Sequence, residues 1–317
     1  MADVRVGVVG VGHLGYHHAR NYAAIEGAEL VGIVDPDSAH ASKAAQDFQV
    51  TAFASIEDLI AKGVDAVSVA APTTLHPAIT LQLLEAGVDV LVEKPIAPTV
   101  AEAREMARMA ADRGRILQVG HIERFNGAVM ALAGRIKAPK FIECHRLSPY
   151  TSRGDDVSVV LDLMIHDLDI VLAFVRDEVT SIDAVGVPVF SPTEDIANAR
   201  LRFASGCVAN VTCSRVAVER MRKIRVFEQD AYFSTNYTEQ EVLAYRKKPG
   251  PVPDGVSPMQ HLSIESLPVR REEPLKLELE SFVTCVRDRT KPVVSGEDAL
   301  KVLELAQQVI NFIRGHS

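Results

Sequence analysis

"VRVGVVGVGHLG", residues 4–15, decides the fold. The first six residues are almost continuously apolar, as in a strand covered on both faces. They run straight into Gly10-x-Gly12-x-x-Gly15, which closes the strand and opens a helix. A glycine triplet at this spacing also occurs in turns of α/β domains that bind no nucleotide. Here it sits inside a strand–helix–strand unit, the context in which it cradles a dinucleotide. The first glycine permits the tight turn, the second lets the backbone approach a pyrophosphate, and the third lets the helix pack on the strand. The helix N-terminus adds partial positive charge and N–H groups without intrahelical partners. His13 falls beside the pyrophosphate. Asp35 ends the second strand about 20 residues after Gly15, where a carboxylate holds the adenosine ribose hydroxyls. Pro36 and Asp37 offer no cation for a 2′-phosphate, so NAD is expected rather than NADP.

The same alternation continues outward from this stretch. "ELVGIV", "AVSVA", "DVLVE" and "ILQVG" read as further strands, separated by Ala-rich helices such as "TVAEAREMARMAADRG". Strand–helix alternation over residues 4 to 120 predicts a doubly wound parallel sheet, a Rossmann domain. Beyond residue 120 the style changes. A helix is expected over Phe125–Ile136, then a strand ("KFIECHRL"), a polar loop and a long helix from residue 159. From Val179 to about Tyr245 strands follow one another, with Gly206 and Asp230 at hairpin turns, which predicts an open, mostly antiparallel sheet. Two helices close the chain, near Leu275–Arg289 and Ala299–Ile313. The expected division is a dinucleotide-binding α/β domain over 1–122 and an α+β domain over 123–317, for substrate binding and oligomerisation.

Bulk properties exclude several classes. The 317 residues carry a net charge of −8, which argues against a nucleic-acid-binding protein. No apolar run reaches the roughly 18 residues needed to cross a membrane, so no membrane partner is expected. The sequence enters a strand almost at once, without a signal-peptide layout, and a cytoplasmic location is expected. Cys144, Cys207, Cys213 and Cys285 form no Cys-x-x-Cys pair, so they read as plain thiols and no metal site is expected. The apolar alternation of the second half is enough to build an interface, and a homodimer or homotetramer through the C-terminal sheet is expected.

Chemistry concentrates in two further places. "VVLDLMIHDLDIVLAF", residues 159–174, is apolar on almost every face yet carries three carboxylates and an imidazole. At about 100° per residue, Asp162, His166 and Asp169 fall within an arc of about 60°, while Asp167 points elsewhere. The stripe must face water, a partner or a substrate, because burying it unpaired costs several kcal/mol. "LVEKPIA" places Glu93, Lys94 and Pro95 at the C-terminal end of a strand, the edge where ligands of open α/β sheets bind. Pro95 is a candidate cis proline that fixes the direction of Lys94. Lys94 with Glu93 as a solvent-exposed ion pair is the bland alternative. "PTTLH" lines the nicotinamide pocket through Pro72, Thr73 and His76, or its threonines merely cap a helix. In "GHIERFN", His121, Arg124 and Asn126 either meet substrate or make interdomain hydrogen bonds. His17 and His18 read as ordinary helix-surface or satisfied histidines.

Gly10-Val11-Gly12-His13-Leu14-Gly15, Asp35, Glu93-Lys94-Pro95 and Asp162…His166 together resemble the glucose–fructose oxidoreductase/inositol dehydrogenase (Gfo/Idh/MocA) family. The resemblance spans essentially the whole chain. It implies an N-terminal NAD domain, with the glycine loop, His13, Leu14, Asp35, Pro72, Thr73, His76, Glu93 and Lys94 at the cofactor. It implies a reactive set of Lys94, Asp162 and His166, and a polar stripe facing the nicotinamide. Oxidation of a secondary alcohol removes a hydride from carbon and a proton from oxygen. An imidazole of ordinary pKa near 6.5 accepts such a proton near neutral pH. A cationic Lys94 stabilises developing alkoxide. The sequence leaves the choice of proton acceptor open, and we take His166. Asp169 is expected to end the stripe toward solvent.

Many members of the family carry a glycine run before the reactive helix, where this chain has "YTSRGDDVS". "VGHIERFN", "HRLSPYTSRGDDV" and "LDLMIHDLDI" are more similar to a subgroup acting on nucleotide sugars. That resemblance implies NAD-dependent oxidation of the 3-hydroxyl of UDP-N-acetylglucosamine, with an aminotransferase then making the 3-amino sugar for lipid A. Arg146 and Arg153 are expected to pair with the diphosphate, since guanidinium suits phosphate oxygens. The alternatives are a dehydrogenase of a free sugar or inositol, and a non-catalytic NAD-binding regulator.

Overall fold

The computed structural model describes residues 3–151, 157–255 and 257–315. It divides into two compact units, residues 1–125 with 273–303, and residues 126–272 with 304–317.

The first unit opens with β1 (Val4–Val9), α1 (His13–Tyr22), β2 (Ala28–Val34), α2 (Ser38–Phe48), β3 (Thr51–Phe53) and α3 (Ile56–Ala61). It continues with β4 (Ala66–Val69), α4 (His76–Glu85), β5 (Asp89–Glu93), α5 (Val100–Asp112) and β6 (Leu117–Gly120). All six strands are parallel, in the order β3-β2-β1-β4-β5-β6. That order reverses between β1 and β4, which creates the crevice where such sheets bind ligands. Val6, Val8, Ile33, Leu91 and the inward side of α1, Ala19 and Tyr22, belong to one buried cluster. The helix α5 starts at a reciprocal cap in which Thr99 and Glu102 satisfy each other's backbone N–H.

The second unit begins with the short helix α6 (Gly127–Leu132). The helix expected over Phe125–Ile136 is in fact a 3-10 turn at Ile122–Phe125 followed by α6, because Asn126 caps the new start through its side-chain oxygen. Then come β7 (Phe141–Leu147), a π turn at Val160–Met164, and α7 (Ile165–Val175). Next follow β8 (Val179–Val187), β9 (Ile196–Phe203), β10 (Val208–Ser214) and β11 (Met221–Phe227). The strands end with β12 (Ala231–Asn236), β13 (Glu241–Lys247) and β14 (Leu262–Ser266). The sheet order is β14-β13-β12-β11-β7-β10-β9-β8, antiparallel except for the β10–β7 pair. Gly206, at φ +82°, makes the β9–β10 turn that a side chain would strain. Period-2 alternation sends Ile142, Cys144 and Arg146 of β7 inward and leaves Phe141, Glu143 and His145 half-exposed.

The chain then returns. The helix α8 (Pro274–Asp288) buries Leu275, Leu279, Phe282 and Val283 in the same cluster as β1 and α1. The last helix, α9 (Gly296–Gly315), counts with the first unit through Leu303 and with the second from Glu304. A cut at 122/123 leaves this return out, since nothing local in an amphipathic helix says which sheet it covers. Among the described residues no helix is long and apolar enough to cross a membrane, and no group of His, Cys, Asp or Glu could hold a metal ion. The four cysteines are buried free thiols.

Candidate functional site

The crevice of the first unit is built at strand ends. Gly10 sits at φ +83°, and a Cβ there would lie 2.9 Å from the backbone of Ala70 and Ala71 at the end of β4. A Cβ on Gly15 would stand 1.7 Å from the Gly10 carbonyl oxygen. Gly12 is different: a Cβ there would meet nothing within 4 Å. Gly12 also caps α1 without any side-chain hydrogen bond, and the first turn holds no acidic residue. So the first and third glycines serve protein packing, while the second faces open space at an uncapped helix N-terminus. That geometry fits a pyrophosphate. His13 and Leu14 form the first residues of α1.

Asp35, just past β2, accepts the Val11 N–H at 2.6 Å and the Asp37 N–H at 2.8 Å. The carboxylate thereby ties the glycine loop to the end of β2 and keeps lone pairs for a ribose. Asp37 caps α2 by accepting from Ala39 and His40, so it too offers no site for a 2′-phosphate.

The residues after β4 and β5 face each other. Pro72 is exposed and Thr73 half-buried, both available to a ligand. His76 is buried, with Nδ1 3.0 Å from the Pro95 oxygen and Nε2 2.9 Å from the Ala71 oxygen. It clips two turns together instead of lining a pocket. Burial lowers its pKa, against the pull of those two carbonyls. The Lys94–Pro95 peptide is cis, as the sequence suggested. Lys94 is half-buried at the turn. Glu93 is not its solvent partner: it turns inward, 3.0 Å from His18 Nε2, and its other oxygen accepts the Lys94 backbone N–H at 3.2 Å. His121 follows β6 and is buried; burial first, then the Lys94 and Arg124 charges, pull its pKa down to about 3. It is therefore a neutral ring at physiological pH. Arg124 reaches the Val293 carbonyl at 3.4 Å.

In the second unit the polar stripe divides. Asp162 lies in the π turn and His166 in the first turn of α7, both half-exposed. The extra residue per turn breaks the α-helical spacing on which the single arc rested. Asp169 is 1% exposed, which corrects the expectation that it ends the stripe toward solvent. Asp167 is buried as well and explains itself: it receives Arg146 Nε at 2.8 Å and Nη2 at 3.0 Å. The same guanidinium lies 5.8 Å from the Tyr237 ring. Arg146 is thus committed to a forked buried ion pair, which corrects the expectation that it grips a diphosphate. The period-2 rule that turned β7 residues inward also turned this one. Arg153, the other expected diphosphate ligand, lies outside the described residues. Asn126 is 6% exposed, caps α6 and donates to the Tyr237 carbonyl at 3.4 Å, so it leaves the candidate substrate contacts.

Sequence reasoning missed one network. Asp195, fully buried, accepts N–H bonds from Val189, Phe190 and Ser191 at 2.6–2.9 Å and Arg215 Nε at 2.7 Å. Burial works against its ionisation, but these bonds outweigh it and hold the carboxyl below the usual range. Arg215 also donates to the Val157 carbonyl at 2.8 Å, and Val159 donates to the Glu194 carbonyl at 3.0 Å. The network therefore fixes the chain immediately before the π turn that carries Asp162. Its signal was an "ED" pair just before β9 and a lone arginine just after β10, which only the pairing of Ile196 with Ser214 brings together.

Residues 4–121 match the model of an oxidoreductase family with an NAD-binding Rossmann fold, and residues 125–233 match the GFO/IDH/MocA C-terminal domain. The chain is 36% identical over 311 residues to a UDP-N-acetylglucosamine 3-dehydrogenase of Acidithiobacillus ferrooxidans, covering 98% of this chain and 97% of that protein. It is 28% identical to the scyllo-inositol 2-dehydrogenase (NAD(+)) of Bacillus subtilis, covering 98% and 94%. A solved structure of the Acidithiobacillus enzyme superposes with a TM-score of 0.91 at 34% identity, covering 99% of each chain.

Proposed function

The chain belongs to the Gfo/Idh/MocA oxidoreductase family, and we propose that it oxidises the 3-hydroxyl of UDP-N-acetylglucosamine to the 3-keto sugar. The observation that carries this reading is the 36% identity to an enzyme of that activity along nearly the full length of both chains. Bound NAD supplies the acceptor for the hydride that leaves the carbinol carbon. His166 takes the hydroxyl proton on its neutral ring nitrogen. Asp162 orients the ring or a sugar hydroxyl, and Lys94 stabilises the alkoxide as it develops. Pro72, Thr73 and Asp35 serve the dinucleotide, and Arg124 serves the substrate. The keto product suits an aminotransferase, which makes the 3-amino sugar used in lipid A. With four free thiols, a reducing compartment fits, and we assign the protein to the cytoplasm.

The test is NADH formation from NAD and UDP-N-acetylglucosamine, with an aminotransferase and glutamate to pull the uphill oxidation forward. NADH is the expected outcome. Silence with the trap present, while scyllo-inositol or a free hexose reacts, overturns the substrate and favours the second relative's chemistry. NAD binding without turnover of any of them leaves a regulator.

We also propose that the half-exposed face of the eight-stranded sheet joins copies of this chain. Phe141, Phe227, Tyr232 and Tyr245 stand in register across four strands, with successive ring centroids 5.7, 4.6 and 4.9 Å apart. Ile264 extends the row and is 64% exposed. An apolar row of this length on one sheet face is interface material. Sedimentation is expected to give a dimer or tetramer, and a sole species of 34.5 kDa would overturn this.

A further inference from the structure

His18 is fully buried on the inner face of α1, where an apolar residue would pack as well. Its Nε2 lies 3.0 Å from Glu93 Oε1, and since a carboxylate only accepts, Nε2 carries the hydrogen. Its Nδ1 has no hydrogen-bond partner among the described residues, so the ring is placed for this one bond. Glu93 is also buried, and its second oxygen accepts the N–H of Lys94. The carboxylate is confined on its remaining side by β6: a Cβ on Gly120 would stand 2.8 Å from Glu93 Cδ and both oxygens. One turn further along α1, the Tyr22 hydroxyl meets Ser68 Oγ of β4 at 2.7 Å. Two polar pins thus join the helix that opens at the glycine loop to β4 and to β5, the strand that runs into Lys94.

We propose that His18 is a positioning residue: through Glu93 it fixes the peptide of Lys94 and so ties the direction of the lysine to the dinucleotide-binding helix. The inference rests on the oxidoreductase reading given above. A buried imidazole–carboxylate pair adds little stability over an apolar pair of the same volume. What it adds is direction, because a satisfied polar network has one geometry and an apolar contact has many. Removing the ring leaves Glu93 buried with one partner fewer, and the carboxylate then moves. The Lys94 peptide moves with it. A displacement of about 1 Å in a reacting group costs on the order of a hundredfold in rate.

The test compares His18→Ala, His18→Gln and Gly120→Ala in the full-length protein. His18→Ala is expected to lower kcat tenfold to a hundredfold, with NADH affinity measured by fluorescence within about twofold of wild type. His18→Gln, which keeps a donor at the Nε2 position, is expected to recover most of the rate. Gly120→Ala displaces Glu93 from the opposite side, so its kcat loss should not add to that of His18→Ala. A readout independent of substrate is the labelling of Lys94 by an amine-selective ester, followed by peptide mass spectrometry. Its labelling rate should change several-fold in His18→Ala and return in His18→Gln, while exposed Lys43 stays constant. Unchanged Lys94 labelling and unchanged kcat in folded His18→Ala would overturn the proposal, as would a loss fully explained by weaker NADH binding. If the wild type ignores UDP-N-acetylglucosamine yet Lys94 labelling still responds to His18, the substrate reading fails and the positioning role stands.

Discussion

His166→Ala is expected to lower kcat for NADH formation by about 10²- to 10⁴-fold, the usual contribution of a positioned general base. NADH affinity should stay near wild type on the proposed reading, which gives the dinucleotide to the glycine loop and to Asp35, the carboxylate that accepts the Val11 N–H. Added imidazole should restore part of the rate, since it supplies the missing base without the side chain. Lys94→Ala is expected to cost about 10²- to 10³-fold, as loss of one charge-stabilising donor does, and imidazole should not help it. The two losses separate the roles. If His166→Ala keeps more than a tenth of wild-type kcat while Lys94→Ala is dead, the proton goes to Lys94, and our assignment is reversed.

Asp167→Ala is expected to destabilise the protein by about 3–5 kcal/mol, because it strands a buried guanidinium. Thermal unfolding should move down by on the order of 10 °C. The double replacement Arg146→Met with Asp167→Leu should recover most of that loss, since no uncompensated charge remains and the volume is kept. Its residual activity is informative, because Asp167 adjoins His166 in α7 and the ion pair pins that helix to β7. A diphosphate-binding Arg146 predicts a different pattern. In that case Arg146→Met would raise KM for the UDP-sugar with no fall in melting temperature. Differential scanning calorimetry and initial rates on the same three variants decide between the two.

How far these sites were legible in the sequence depended on the range of the interaction. The glycine loop, Asp35, the cis proline after Lys94 and the parallel strands of residues 4–120 all follow from local pattern. Each needs only the period of a strand, the conformational freedom of glycine or the geometry of one turn. The antiparallel nature of the second sheet was equally legible, because Gly206 and Asp230 punctuate hairpins. The strands β3 and β14 were not seen: both lie at sheet edges and are mostly exposed, so neither carries the buried apolar run that marked the equally short β4, β5 and β6.

The residues misread or missed were polar ones whose partners lie far along the chain. Arg146 and Asp167 are 21 residues apart, Asp195 and Arg215 20, His18 and Glu93 75. An arginine on a strand looks the same from its neighbours whether it waits for a phosphate or forks onto a carboxylate. The π turn at Val160–Met164 had no punctuating residue, so Asp162 and His166 were placed on an α-helical arc that the backbone does not follow. The sequence by itself determined the fold class and the glycine loop between β1 and α1, because those rest on short-range geometry. Only the tertiary structure decided which charges are neutralised inside and which stay half-exposed. Burial makes an unpaired charge so costly that each inward-facing one must find its partner, and that partner is chosen by strand register and helix packing.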